Sequence, residues 1–99
     1  MRGNDYTNAV LLVEDDLACL DECGETLANL GYEVKTASDA LGALKIIAED
    51  PSIGIVLTDL NMPGMDGLTF LEELSLRFMP QRPIVALVLT AVPTLEAAT

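Results

Sequence analysis

Asp59 follows a run of apolar residues and opens a loop rich in turn-forming residues, within the stretch IVLTDLNMPGMDG. A second apolar run, VLLV, is followed directly by Glu14, Asp15 and Asp16. Carboxylates that follow buried parallel strands meet at the same edge of a sheet, where open α/β folds form their sites. We therefore expect one acidic pocket suited to a divalent cation and a phosphoryl group.

Such a pocket has an electrostatic cost that something must offset. Two ionised carboxylates about 4 Å apart repel each other by roughly 4 kcal/mol at an effective dielectric of about 20. A raised pKa would relieve this repulsion, and a hard cation such as Mg²⁺ would relieve it better while orienting a phosphoryl group. Asp59 is then a candidate nucleophile that forms an aspartyl-phosphate, and the hydroxyl of Thr90 could contact a phosphate oxygen.

Alternating patterns predict the elements that position these residues. Strands are predicted at Ala9–Val13, Glu33–Ala37, Ile53–Thr58 and Ile84–Leu89, and helices at Leu17–Leu30, Asp39–Glu49 and Leu68–Phe78, with a fourth helix opening within Val92–Thr99. Ser38 is expected to cap the second helix, and Gly31 to end the first one in a left-handed conformation. This alternation is typical of a parallel sheet covered by helices.

The inward faces of the helices follow from three- and four-residue spacing. The residues expected to face the core are Leu20, Cys23, Leu27 and Leu30 on the first helix, Ala40, Leu44 and Ile47 on the second, and Leu71, Leu74 and Phe78 on the third.

Composition limits the classes of function. The chain has 99 residues, enough for one small domain, and a net charge of -11, which argues against nucleic acid and anionic membranes as partners. No apolar stretch approaches the roughly 20 residues that span a bilayer, and the N-terminus lacks the apolar block of a signal peptide, so we expect a cytoplasmic protein.

Cys19 and Cys23 are interpreted as reduced thiols, because the sequence offers no histidine or second cysteine pair to complete a zinc site.

Three stretches, VLLVEDD, TDLNMPGMDG and VLTA, resemble in order and spacing the receiver domain of bacterial two-component response regulators. The resemblance covers essentially the whole chain. It implies a flavodoxin-like, doubly wound parallel sheet and a signalling domain that accepts a phosphoryl group. The expected partner is a sensor histidine kinase or a phosphotransfer protein that carries a phosphohistidine.

The resemblance also implies a role for each matching residue. Asp59 would be the phosphoacceptor, and the Mg²⁺ ligands (Mn²⁺ being an alternative ion) would be Glu14, Asp15, Asp59 and the backbone carbonyl of Asn61. Contacts to the phosphoryl oxygens would come from Leu60, Asn61 and Ala91, and Thr90 would act as the switch hydroxyl.

Two further acids in these stretches have structural interpretations. Asp16 is at least as well explained as an N-cap or dipole-stabilising residue of the first helix as by metal ligation. Asp66 is interpreted as a helix cap or turn former.

The sequence departs from the family pattern at its C-terminal end. We expect residues 1–99 to form a single receiver domain that stops at the start of the fourth helix, with strand order 2-1-3-4 and without the fifth strand and fifth helix. The lysine of the family pattern is then absent, because neither Lys35 nor Lys45 occupies its position. Truncation, residues beyond this sequence, or self-association through the uncovered edge of the fourth strand would each explain the gap.

Three functions are compatible with the residues. The leading one is a phosphoacceptor domain that is not a turnover enzyme and dephosphorylates itself slowly. A pseudo-receiver that serves only interaction or dimerisation is the alternative. A phosphatase of the haloacid-dehalogenase type is remote, because its nucleophile lies on the first strand in an Asp-x-Asp motif. The output of the parent protein, the cognate kinase and the oligomeric state are not encoded in these residues.

Overall fold

The computed structural model describes residues 9–59 and 66–89, which form four parallel strands and three helices. In chain order the elements are β1 (Ala9–Val13), α1 (Leu17–Asn29), β2 (Val34–Ala37), α2 (Ala40–Glu49), β3 (Ile53–Asp59), α3 (Gly67–Arg77) and β4 (Val85–Leu89). The strand order is β2-β1-β3-β4, with every pairing parallel. This confirms the predicted order and fold class. The predicted fourth helix, within 92–99, lies outside the described residues.

The central strand β1 is buried along its whole length. It pairs with β2 on one side and β3 on the other, and helices cover its two faces, which explains an apolar run without alternation. One face of the sheet packs against α2 and α3 around Leu11, Val56 and Ile47, none of which is accessible to solvent. Full burial of such side chains contributes about 1.5–3 kcal/mol each.

Helix α3 supplies the largest buried side chain, Phe70, which the sequence analysis did not place in the core. Leu74 is also fully buried, as predicted, whereas Leu71 and Phe78 only pack against the margin of the core. Helical spacing therefore correctly predicted Leu74, but the buried residue one turn before it is Phe70 and not Leu71.

An aspartate caps each of the three described helices. Asp16 and Asp66 accept hydrogen bonds from backbone N–H groups in the first turns of α1 and α3, which confirms both predicted caps. The prediction of Ser38 as the cap of α2 is wrong. Asp39 has the extended backbone of an N-cap and accepts a 2.7 Å hydrogen bond from Gly42 N, so it satisfies a helix donor that Ser38, one residue earlier, does not.

Helix α1 covers the other face of the sheet less completely. Leu20 is buried and Leu27 half-buried, as predicted, but Leu30 is 69% exposed. The helix ends at Asn29 and the chain reverses at Gly31, whose φ is 100°, so helical spacing no longer directs Leu30 to the sheet. None of the helices in the described ranges combines the length and the hydropathy needed to cross a bilayer.

Arg82 ties the end of the domain opposite the β3 carboxylate together. Its guanidinium donates to the carbonyl oxygens of Ile47 at 2.7 Å and of Asp50 and Ile53, both at 3.0 Å. The same group lies 5.9 Å from the ring centroid of Phe78. One side chain therefore joins the C-terminal end of α2, the start of β3 and the loop before β4.

We predict that Arg82→Met lowers the free energy of unfolding by about 2–3 kcal/mol, because three carbonyls lose a charged donor while the apolar stem is kept. Urea denaturation measures the difference. Arg77→Met is the matched control, since its 2.8 Å ion pair with Glu73 is exposed, and we expect a loss below about 0.5 kcal/mol. Equal losses in the two variants would contradict the role given to Arg82.

Asp50 holds the same corner through its side chain. The carboxylate accepts hydrogen bonds from Ser52 Oγ at 2.6 Å and Ser52 N at 2.9 Å, and it pairs with Lys35 Nζ at 3.0 Å. These contacts, the Ser52 hydroxyl first, lower the pKa of Asp50 from 3.8 to about 2. Because the folded pKa is depressed, the stabilisation is complete above the unfolded pKa and is lost as the pH falls toward 2.

We therefore expect Asp50→Asn to lower the stability at neutral pH by about 1 kcal/mol, and this loss to shrink as the pH falls through about 2. Urea denaturation of both proteins over this pH range checks it. A difference that is independent of pH would show that the carboxylate charge is not responsible.

Candidate functional site

Parallel pairing of β1 with β3 brings the sequence-predicted carboxylates to one edge of the sheet. Val13, the last residue of β1, is in register with Thr58, so that Glu14 and Asp59 both follow this pair. Glu14, Asp15 and Asp59 each offer a carboxylate oxygen, and these three oxygens lie within 4.8 Å of one another. The acidic pocket expected from the sequence is therefore present among the described residues.

Glu14 is the buried member of this acidic site, with 7% of its surface exposed. Its backbone N–H donates to the carbonyl of Ala37 at 3.0 Å, which continues the sheet pairing, and its Oε2 accepts from Asp16 N at 3.0 Å. Burial is the largest cause that raises the pKa of Glu14 above its ordinary value. The hydrogen bond from Asp16 N opposes the shift, and the neighbouring Asp15 and Asp59 add to it.

The other two carboxylates are more accessible. Asp15 is exposed and Asp59 is half-buried, so the site opens to solvent on their side. A group that enters from solvent can therefore reach Asp15 and Asp59 more readily than Glu14. This gradient of burial suits a site with one reacting carboxylate and a fixed, buried acid that supports it.

Thr58 is a part of the site for which the sequence analysis assigned no role. It is fully buried, and its hydroxyl donates to the backbone carbonyl of Asp59 at 3.0 Å. A buried hydroxyl with a hydrogen-bond partner helps fix the backbone from which the Asp59 side chain projects. The only signal in the sequence was a polar, β-branched residue at the end of a predicted strand, directly before a carboxylate.

The donor set is chemically selective. Three carboxylate oxygens favour a hard divalent cation, because Mg²⁺ and its relatives bind oxygen and retain several waters.

The Lys35 ammonium pairs with Asp50, which precedes β3, whereas Asp59 is the last residue of β3. The ammonium group of Lys35 therefore lies at the end of β3 opposite Asp59, in agreement with the interpretation of Lys35 as a residue outside the site.

Asp16, the third acid after β1, caps a helix and is not a member of the acidic site. Asp16 donates its backbone N–H to Glu14 but uses its carboxylate to cap α1, with Oδ1 3.0 Å from Ala18 N.

The other residues that were predicted for the site lie outside the described residues, and their roles stay predictions. They are Leu60, Asn61, Thr90 and Ala91.

With this fold and this edge of the sheet defined, the chain belongs to the response regulator receiver domain family, whose sequence profile matches residues 10–98. Receiver domains are signalling domains of two-component systems. The chain is 37% identical over 89 residues to the response regulator protein FleR of Pseudomonas aeruginosa, covering 90% of this chain. It is 37% identical over 65 residues to the sensor histidine kinase RcsC of Salmonella typhimurium, covering 66% of this chain.

A similar solved structure is that of the response regulator protein TrrA of Thermotoga maritima in complex with Mg²⁺-BeF. It superposes with a TM-score of 0.78 at 28% identity, over 87% of this chain and 71% of that one. The chain spans 18% of the length of FleR and 7% of that of RcsC. The similarity to these two proteins is therefore a similarity to one domain of each.

We predict that Glu14→Gln raises the free energy of unfolding at neutral pH by up to about 1 kcal/mol in the presence of a chelator. The raised pKa of Glu14 means that its ionised form destabilises the fold above that pKa, and glutamine keeps an acceptor for Asp16 N. Denaturant unfolding measures the change. Glu25→Gln, on the exposed surface of α1, is the control with little effect. A clear loss of stability in Glu14→Gln would contradict the electrostatic account.

Proposed function

We propose that this chain accepts a phosphoryl group on Asp59 from a phosphohistidine, in a reaction that depends on Mg²⁺. The observation that carries the proposal is the convergence of Glu14, Asp15 and Asp59 at the carboxyl ends of β1 and β3. Membership of the receiver family supports it. In the stretch TDLNMPGMDG, Asp59 stands where the resemblance to the family implies the phosphoacceptor.

In the proposed reaction a carboxylate oxygen of Asp59 forms a bond to phosphorus as the bond from phosphorus to the histidine nitrogen breaks. The released histidine nitrogen takes up a proton from the solvent, and Asp59 becomes a mixed phosphoric–carboxylic anhydride. Asp59 must be ionised to act in this way. Asp59 is only half-buried, which leaves part of it accessible to a donor from solvent, and the hydrogen bond from Thr58 helps to fix its backbone.

The acidic site fits a magnesium ion by the chemistry of its donors. Asp15 and Asp59 would be direct ligands, and Glu14, buried and held by Asp16 N, would act through water. When bound, the ion would neutralise the negative charge of the carboxylates and of the phosphoryl oxygens. The TrrA complex with Mg²⁺-BeF supports this part of the proposal by analogy.

The donor partner would be a sensor histidine kinase or a phosphotransfer protein in the cytoplasm. The net charge of -11 favours a partner surface that carries basic residues. Conformational coupling would run through Thr90, with contacts from Leu60, Asn61 and Ala91 to the phosphoryl oxygens. Self-association, if it accompanies signalling, would bury the exposed side chains of Val85 and Leu87 on β4.

Incubation with acetyl phosphate and Mg²⁺ tests the proposal. We expect intact-mass analysis to show the gain of one phosphate, absent with a chelator and absent in Asp59→Asn. Asp66→Asn is the matched control in the same segment, because asparagine still caps α3 and Asp66 is not a member of the acidic site. It should be phosphorylated as the native chain is.

Equal labelling of Asp59→Asn would assign the phosphate to another residue. Absence of labelling in the folded native chain would favour the pseudo-receiver. Continuous release of phosphate from many equivalents of donor would favour a hydrolytic enzyme over a phosphoacceptor domain.

A further inference from the structure

The two cysteines of the chain lie side by side on α1, and neither belongs to the acidic site. Cys19 and Cys23 are four residues apart, and their Sγ atoms are 3.9 Å from each other. Both side chains are partly exposed and neither is in a disulfide. Cys23 also lines an open cavity of about 610 Å³ between α1 and β3, together with Glu22 and Leu57. The sequence analysis interpreted these residues only as reduced thiols.

The distance between the sulfurs decides what the pair can do. A disulfide needs a separation of about 2.05 Å, so the sulfurs would have to approach each other by almost half their present distance of 3.9 Å. Two sulfurs that share one metal ion at about 2.3 Å can be up to about 4.6 Å apart. An ion held by two sulfurs alone binds them nearly in line, so the sulfurs would have to move apart by about 0.7 Å, a smaller change than a disulfide requires.

We propose that Cys19 and Cys23 form a two-sulfur site for a soft monovalent cation, Cu(I). Binding exchanges protons for the metal: one Cu(I) ion forms two copper–sulfur bonds, both S–H bonds break, and two protons pass to the solvent. No electron is transferred, and the bound centre carries one negative charge. This inference does not depend on the chemistry proposed for Asp59.

The number of available ligands favours Cu(I) over Zn²⁺. A structural zinc site takes four ligands, whereas Cu(I) accepts two thiolates. Among the described residues, the one group of three or more potential metal ligands is the acidic site, and neither cysteine belongs to it. Two thiolates without further soft donors therefore match an ion that tolerates two-coordination.

The protonation state of the thiols makes the proposed binding dependent on pH. The hydrogen bond with Cys23, followed by burial, raises the pKa of Cys19 to about 11. A protonated thiol attacks disulfides and oxidants slowly, so the pair is protected from casual oxidation. A strongly thiophilic ion can still displace the protons, and its affinity should increase with pH.

The test is an anaerobic titration of the reduced 99-residue chain with Cu(I) supplied as its bicinchoninate complex, with Mg²⁺ present to occupy the acidic site. We expect one copper per chain, an ultraviolet thiolate-to-copper band, and protection of both cysteines from alkylation. Cys19→Ser and Cys23→Ser should each bind about 100-fold more weakly, because a single thiol loses the chelate effect. Asp21→Asn, an exposed position on the same helix, should bind as the native chain does.

Circular dichroism establishes that the serine variants fold. If either one does not, protection of both thiols in the native chain decides the question. Failure of the native chain to take copper from bicinchoninate, unprotected thiols, or equal binding by the serine variants would overturn the proposal. Displacement of Cu(I) by equimolar Zn²⁺ would also overturn it, since it would show a preference for a four-ligand ion.

Discussion

The parallel pairing of β1 with β3 is the constraint on which the rest of the molecule depends. It places Val13 beside Thr58 and thereby brings the carboxylates of Glu14, Asp15 and Asp59 within 4.8 Å of one another. Apolar burial enforces this register, since a slip of one residue would bring the charged Glu14 beside the fully buried Thr58 in place of Val13. The energy that holds the acidic site together therefore comes from the aliphatic sheet and its helices, and not from the site itself.

The acidic site lowers the stability that this apolar packing provides. Burial, and to a lesser degree the neighbouring like charges, raise the pKa of Glu14, so its ionised form destabilises the fold that contains it. The opposite end of the sheet shows the reverse arrangement, with the guanidinium of Arg82 on three backbone carbonyls and Asp50 paired with Lys35. At that end an ion pair and charged hydrogen bonds stabilise the structure. At the other end like charges are concentrated, and a bound cation would neutralise them.

Much of this organisation could be predicted from the sequence, for reasons visible in particular residues. The run from Ala9 to Val13 has no alternation and is buried on both faces, and the carboxylates after β1 and β3 meet because parallel strands end at one edge. Details that depend on tertiary packing could not be predicted. Ser38 and Asp39 have similar capping propensities, and only the backbone geometry selects Asp39. The centre of the α3 face at Phe70, the burial of Thr58 and the 3.9 Å spacing of the cysteine sulfurs likewise depend on the folded arrangement.

The central claim is that three carboxylates, joined by strand pairing, form a phosphoacceptor site that uses a divalent cation. A crystal structure of the chain grown with Mg²⁺ and beryllofluoride tests it most directly. The account predicts beryllofluoride bound to a carboxylate oxygen of Asp59, and a magnesium ion about 2.0–2.1 Å from oxygens of Asp15 and Asp59. Beryllofluoride bound at another residue, or an ion coordinated without Asp15 and Asp59, would contradict it.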